Sequence, residues 1–539
     1  MALRSVAAIK ADLLSRGLRL PAQPPAGGPA RVRGGGAGPA EGITLLLEDT
    51  PASVPVASRH VQHSPFRLEP DLGSPGRWSL FREEERLELR VSVLPEPGFY
   101  QGRTADGIDY RQIALLHGAD CLASTVLQTC AYWGTVEGCR FCGIGLSLRR
   151  GQTVAVKQAR HLAEVARAAR EEGAAHVTLT SGTTRDRAQE VSLSLQAARA
   201  VRQSSGLPVH VQLMPPLSRA RMEQLRDAGV ATLGIHLESL DPRVLERVSP
   251  CKAALSAEAY VRAWKDAVAV FGRNQVSTFL LLGLGERAAG LREGCRRIAE
   301  LGVYPYLVPF RPIPGTPLED ARPADVAAAR EVYEEVAGVL DEYGLYWRDA
   351  EAGCVRCRGC SALPDYQDAL FRGRREGAGA DDAVLEVVRS GPSLEACFAI
   401  RREVFVREQG FFAQTDRDDL DESSVHILAR RGDQGLGTVR ITPVGGGLWL
   451  GSRLAVLPAH RGGLGGRLVR KAEEEVRRRG GERFVAYIQL PRVAFFRRCG
   501  WRCLEEVPDY HGKPHVLMEA PGAGGSAGCV RSDLACLSH

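Results

Sequence analysis

Between residues 150 and 310 short apolar strands alternate with helix-length amphipathic segments, and that alternation leaves few folds open. A helical stretch from about Val156 to Glu172 is stopped by Gly173. A strand follows at His176–Leu179, then a turn at Ser181-Gly182. The next helix covers about Ala188–Arg202, and Gly206 and Pro208 introduce the strand Val209–Leu213. A third helix, about Leu217 to Ala228, stops at Gly229 before a strand over Thr232–Glu238. The strand Val276–Leu282, a helix over about 287–301 and the strand Tyr304–Pro309 complete the run. Helices of this length between short strands require right-handed βαβ crossovers and a parallel sheet. With one more strand before Cys130 there are roughly six units. The expected fold is therefore α/β, a partial (β/α)6 TIM-type barrel, with a doubly wound open sheet as the alternative.

Three cysteines precede the repeat: Cys130, Cys139 and Cys142, in Q-T-C-A-Y-W-G-T-V-E-G-C-R-F-C. A structural zinc site normally takes four protein ligands. Three thiolates suit a [4Fe–4S] cluster with one iron left open to another molecule, because soft thiolates favour iron–sulfur centres. The spacing is C-x8-C-x2-C. Cys121 lies nine residues upstream and is an alternative third ligand. All four together would equally close a structural zinc site. A second cluster, Cys354, Cys357 and Cys360 in C-x2-C-x2-C, follows the repeat. Clustering this tight signals metal: an auxiliary iron–sulfur cluster near the open end of the barrel, with a fourth ligand elsewhere or from substrate, or zinc with a distant Cys or His.

Composition bounds the rest. A length of 539 residues implies two or more domains, and the net charge of +6 is too small to argue for nucleic acid. No apolar run has the length of a membrane span, and Arg4, Lys10 and Asp12 interrupt the N-terminus too early for a secretory signal. Cysteines in tight clusters fit a reducing, cytoplasmic setting better than a disulfide framework.

Several features of the region from about 119 to 345 make it resemble the radical SAM enzymes. Phe141 directly precedes the last cysteine of the first cluster. The turn Thr180, Ser181, Gly182 follows the second strand, and Glu238 ends the fourth in G-I-H-L-E-S. L-L-L-G-L-G-E at 280–286, with Gly283 and Gly285, matches a fifth-strand glycine motif. V-P-F-R-P-I-P-G-T-P-L at 308–318 is similar to biotin-synthase-like members. The resemblance implies S-adenosylmethionine (SAM) bound by Thr180, Ser181, Gly182, Glu238, Gly283 and Gly285. It also implies a [4Fe–4S] cluster on Cys130, Cys139 and Cys142, and an electron donor such as flavodoxin or ferredoxin. The family spacing is C-x3-C-x2-C, and Thr135 stands where its first cysteine would fall. Gln212 and His236 lie on strands from which they could face a substrate or simply fill the core.

Residues 385–520 resemble the GNAT acyltransferases. A-I-R-R-E-V-F-V-R-E-Q at 399–409 is similar to the opening helix of that fold, and an apolar strand near 448–456 runs into H-R-G-G-L-G-G-R-L. The resemblance implies that Arg461, Gly462, Gly463, Gly465, Gly466 and Arg467 cradle the pyrophosphate of acetyl-CoA at a helix N-terminus. Phe496 stands for the usual tyrosine acid and Gln489 for the usual asparagine. Glu408, Tyr510 and His515 remain as acid–base candidates.

The expected organisation is an N-terminal helix with a Pro/Gly-rich linker (1–41), an extension packing on the barrel (42–118) and a radical SAM domain (119–371). A linker (372–384), a GNAT domain (385–520) and a disordered tail (521–539) follow. The whole resembles a radical SAM family of nitrilase gene clusters fused to an N-acetyltransferase. The expected function is generation of a 5′-deoxyadenosyl radical on a small nitrogenous metabolite, coupled to acetyl-CoA-dependent N-acylation, with no nucleic acid or membrane partner. The alternative is a zinc-stabilised barrel with a coenzyme A-binding regulatory domain.

Overall fold

Each of three sheets follows from the side-chain pattern of its strands. The computed structural model describes residues 3–21, 33–38, 40–70, 78–377, 383–457, 460, 463–489, 492–510 and 513–521. The chain divides into two units, Met1–Ala369 and Leu370–His539.

The first unit opens with the helix Leu3–Arg16 and an antiparallel sheet. Its strands are β1 (Gly42–Leu47), β2 (Thr50–Pro55), β3 (Phe66–Pro70), β4 (Trp78–Arg82), β5 (Glu85–Arg86) and β6 (Val91–Val93), ordered β2-β1-β6-β4-β3 with β5 on β4. Val6, Leu13 and Leu18 pack on Ile43, Leu45 and Leu80, so the helix is part of this core.

The second sheet holds the repeat. Its strands are β7 (Leu115–His117), β8 (Cys121–Thr125), β9 (His176–Thr180), β10 (Val209–Gln212), β11 (Val230–Gly234), β12 (Val276–Leu282) and β13 (Val303–Pro309). Spatial order follows chain order from β7 to β13. Strands β8 to β13 are parallel, and β7 is antiparallel to β8. This is the expected partial (β/α)6 barrel. Helices return the chain between strands, and several are capped by a side chain. The Asp186 side chain accepts from Ala188 N–H, Ser218 from Arg221 N–H and Asp325 from Ala328 N–H.

Three boundaries differ from the sequence reading. Strand β11 ends at Gly234, four residues before Glu238. Glu238 has φ +76° and joins β12 only through a bridge to Leu280. A left-handed residue cannot continue a ladder. Two helices, Pro242–Val248 and Ala257–Phe271, fill the stretch before β12. The expected linker at 372–384 is shortened, because the helix Leu363–Gly377 runs into it.

The second unit has strands β14 (Val384–Val388), β15 (Val425–Arg431), β16 (Gln434–Gly445), β17 (Leu448–Val456), β18 (Arg483–Gln489), β19 (Arg502–Tyr510) and β20 (Lys513–Glu519). Their order is β14-β15-β16-β17-β18-β20-β19. The parallel pair β17–β18, joined by the helix Leu464–Arg478, is paired only over Leu448–Gly451 and Arg483–Ala486. Beyond that point β17 runs on to Val456 and β18 to Gln489 without pairing each other. The sheet therefore opens into a cleft. The expected tail lies outside the described residues from 522 onward.

Candidate functional site

Parallel strands deliver their loops to one end of a sheet, and the first cysteine cluster sits there. The segment after β8 is tied to the turn after β9. Gly182 N–H donates to Leu127 O at 2.8 Å, and Ala131 N–H to Thr183 O at 2.8 Å. Gly182 is required at this contact, since a Cβ there would lie 2.0 Å from Thr129 O. The other end of the loop is held by Arg140 N–H on Val248 O at 2.9 Å and by Cys251 N–H on Glu137 O at 2.9 Å. Trp133 Nε1 donates to Cys142 O at 2.8 Å. The three thiols share this loop: burial pushes the Cys142 thiol up to about 12, and the charges of Cys139 and Cys130 add to it, although among the described residues no three His, Cys, Asp or Glu side chains form a metal-holding group. Cys139 is lowered to about 7, first by a hydrogen bond from Cys251 and then, against burial, by the nearby Lys252. The Cys139 and Cys251 sulfurs are 3.8 Å apart.

The SAM residues expected from the sequence lie at the end of β9 and in the turns after β9, β11 and β12. Thr180 ends β9 and its hydroxyl meets that of Thr125 at 2.9 Å. Ser181 Oγ donates to Gly182 O at 2.9 Å. Glu238 is paired with Lys252 at 2.5 Å, and Lys252 also donates to His236 O at 2.7 Å. Gly283 (φ +95°) and Gly285 (φ +102°) shape the turn after β12, where Glu286 accepts from Gly283 and Leu284 N–H. Phe141 packs against Val244, Val248, Leu284 and Phe310.

Polar side chains line the interior of the strands. His210 and Gln212, two apart on β10, share a face. His210 Nδ1 pairs with Thr232 Oγ1 at 2.8 Å. His236 stacks on Phe279 at 4.0 Å and accepts from Phe279 N–H at 3.1 Å. Both rings approach Gly234, where a Cβ would be 2.6 Å from the His236 ring and 3.0 Å from His210 Nε2. His210 Nε2, His236 Nε2 and Tyr306 Oη are buried with no hydrogen-bond partner among the described residues. Burial holds His236 well below the usual histidine range and His210 at about 3, so both are neutral.

Cys121 is not beside Cys130. It opens β8 at the opposite end of the sheet and contacts Thr178 Oγ1 at 3.3 Å. Its other neighbours are the thiols of Cys357 and Cys354. The alternative that made it the third ligand of the first cluster is thus disfavoured by strand geometry.

In the second unit the splay of β17 and β18 encloses a cavity of about 310 Å³. Phe405, Phe411, Phe412, Phe495 and Phe496 contribute aromatic surface to its wall, and Gln489 and His515 also line it. Gly463 (φ +130°) caps the helix Leu464–Arg478, and Gly463, Gly465 and Gly466 border the cavity. Arg467 donates to Ala383 O at 2.8 Å, so its guanidinium serves the fold as well as any ligand. Arg461 and Gly462 lie outside the described residues. Glu408 is exposed at the end of the π-helical turn Arg402–Glu408, and Tyr510 ends β19. Beside the cavity lies an ionic network. Arg401 bonds Asp416 at 2.6 Å and Asp421 at 2.6 Å. Arg440 bonds Asp421 at 2.7 Å and also Asp418. Arg453, which lines the cavity, bonds Asp418 at 2.8 Å.

Residues 134–296 match the radical SAM superfamily and residues 394–501 the acetyltransferase (GNAT) family. An uncharacterized N-acetyltransferase, YjcF, of Bacillus subtilis (strain 168) is 30% identical over 24% of this chain and 95% of its own length. A putative acetyltransferase, BSU40680, of the same organism is 33% identical over 25% of this chain and 93% of its own length. The chain belongs to the GNAT family and carries a radical SAM domain. The bacteriochlorophyllide c C-7(1)-hydroxylase of Chlorobaculum limnaeum is 26% identical over 56% of this chain and 83% of its own length.

Both families are enzymes. The radical SAM domain implies SAM, an iron–sulfur cluster and a reductant, and the GNAT domain implies an acyl-CoA. The thiols at the barrel mouth fit the first requirement in donor chemistry and number. The glycine-capped helix bordering the cleft fits the second. Among the described residues no helix is long and apolar enough to cross a membrane. Sequence reading missed Cys251 and Lys252 of the radical SAM domain, which reach the site through S-P-C-K, a run with no ligand spacing. It also missed the ionic network of the GNAT domain, whose six members span residues 401–453.

Proposed function

We propose that the radical SAM domain holds a [4Fe–4S] cluster on Cys130, Cys139 and Cys142 and binds SAM against Thr180–Gly182, Glu238 and Gly283–Gly285. Its product radical would act on a small nitrogenous metabolite, and a flavodoxin or ferredoxin would supply electrons in a reducing cytoplasm. When bound, the cluster supplies the electron that splits the SAM sulfonium. The chain does the rest. Its loop 128–143 positions the thiols, and Lys252 neutralises Glu238 beside them. The strand interior offers His210, His236, Gln212 and Tyr306 to orient a polar substrate away from water. The observation that carries this reading is the seating of the three-thiol loop on the turn after β9. Anaerobic reconstitution with iron and sulfide should give reductive cleavage of SAM to 5′-deoxyadenosine, lost in Cys139→Ala. A colourless, zinc-bound protein that forms no 5′-deoxyadenosine would overturn it.

For the GNAT domain we infer acetyl transfer from acetyl-CoA to a nitrogen of an apolar or aromatic acceptor. Gly463, Gly465 and Gly466, with Arg461, Gly462 and Arg467, would bind the pyrophosphate. Of the three acid–base candidates His515 lines the cavity and is the one we favour over Tyr510 and Glu408.

A further inference from the structure

We propose that Cys121, Cys354, Cys357 and Cys360 form a second, closed metal centre, a [4Fe–4S] cluster with four thiolate ligands at the N-terminal end of the barrel strands. Cys354 and Cys357 lie on the short helix Gly353–Cys357. Arg358 then turns the chain with φ +63° and returns its N–H to Cys354 O at 3.0 Å. That turn brings Cys360 round to the same side. His117, the last residue of β7, stands between the two later thiols: its Nδ1 is 3.6 Å from Cys357 Sγ and its Nε2 is 3.2 Å from Cys360 Sγ. Gln212 Nε2 donates to Cys354 Sγ at 3.3 Å. Cys121 comes from β8 and completes the group beside Cys357, against Thr178.

The surroundings suit a buried multi-thiolate centre. Cys121 and Cys357 are 1% and 3% exposed. Gly118 lets the backbone pass the thiols, because a Cβ there would lie 2.5 Å from Cys357 Sγ. Buried thiolates need buried positive charge. The guanidinium of Arg311 lies near Cys360, and the Lys10 ammonium, near Cys357, is held by Asp365 at 2.6 Å. Among the described residues no three His, Cys, Asp or Glu side chains are already spread in ion-binding geometry. The donors instead contact one another through His117.

Spacing selects the group. A C-x2-C-x2-C run completed by one distant cysteine is a ferredoxin-type [4Fe–4S] pattern. Structural zinc sites more often take separated pairs. Four thiolates leave no open iron, so this centre has no room for SAM and differs in kind from the site at the mouth. It does not depend on the proposal for Cys130, Cys139 and Cys142.

The test uses the full chain carrying Cys130→Ala, Cys139→Ala and Cys142→Ala, reconstituted anaerobically with iron and sulfide. About four iron atoms per chain should remain, with a reduced-cluster EPR signal that added SAM does not shift. Adding Cys121→Ser should drop iron below about one per chain or give a three-iron signal. Retention of zinc with no iron, or loss of all iron from the triple variant, overturns the proposal. So does a signal that SAM shifts, or Cys121→Ser with an unaltered spectrum. The SAM-shift measurement decides closure even if Cys121→Ser fails to fold.

Discussion

Two sets of buried polar groups, one in each unit, stand in opposite states. In the radical SAM domain the buried nitrogen of His210, that of His236 and the Tyr306 hydroxyl have no partner among the described residues. In the GNAT domain Arg401, Arg440 and Arg453 are joined to Asp416, Asp418 and Asp421 by at least six ion pairs. A buried polar atom without a partner costs stability, so each one calls for a specific explanation. A saturated network fixes geometry and is expensive only when one member is removed.

The largest expected effect breaks the saturated network. Asp421→Asn should destabilise the GNAT domain by about 3–5 kcal/mol, because Arg401 and Arg440 stay buried with too little negative charge. Denaturant melts of the full chain would show it; a loss below about 1 kcal/mol would make the network ornamental. The loss has a pH signature. The Asp421 carboxyl, though raised by burial, is held well below its ordinary value of 3.8 by hydrogen bonds from Arg401 and by Arg440. Its contribution is therefore present above pH 3.8 and fades as pH falls through the lower folded value. The gap between wild type and variant should close at strongly acid pH.

The next effect belongs to the unpaired set. Burial lowers His210 from 6.5 to about 3. The unfolded chain then binds the proton that the folded chain refuses. Stability falls as pH drops from 6.5 towards 3, by up to about 1.4 kcal/mol per pH unit. His210→Gln should remove that slope; an unchanged slope between pH 7 and 5 would mean that the ring is hydrated or paired.

A smaller change tests the cleft. A Cβ at Gly466 meets nothing closer than Arg470 Nη1 at 3.7 Å, so Gly466→Glu is tolerated sterically. Its charge should weaken acetyl-CoA about tenfold or more, or about 1.4 kcal/mol, by calorimetry, with the melting curve unchanged. Unaltered affinity would move the pyrophosphate elsewhere. The smallest effect is Tyr306→Phe. Removing an unpaired hydroxyl should change stability by less than about 0.5 kcal/mol or raise it. A loss above about 1 kcal/mol would show that the hydroxyl has a partner.

The repeat from 150 to 310 was legible because strand and helix periodicities are local, and β12 falls at Val276–Leu282 as read. The end of β11 was not, since the left-handed turn at Glu238 is set by Lys252 and β12 rather than by its neighbours in sequence. Cys121 shows the same limit. It lies nine residues from Cys130, yet a five-residue strand intervenes, and such a strand spans about 15 Å. Sequence proximity thus grouped two thiols that the sheet separates, while Cys357, more than two hundred positions away, is the neighbour in space. In the GNAT domain the cleft followed from the strand and the glycine run. The ionic network did not, because charged residues scattered over two helices, a loop and two strands look like solvated surface.

The Lys10–Asp365 pair has a consequence in time. Its partners are 355 positions apart, and Lys10 is wholly buried. A ribosome adds roughly 5–20 residues per second, so the N-terminal helix waits on the order of tens of seconds for its partner to be made. Cys354, Cys357 and Cys360 emerge in that same interval, just ahead of Asp365. Pairing of Lys10 and completion of the base of the barrel are thus late, nearly simultaneous events in the synthesis of this chain.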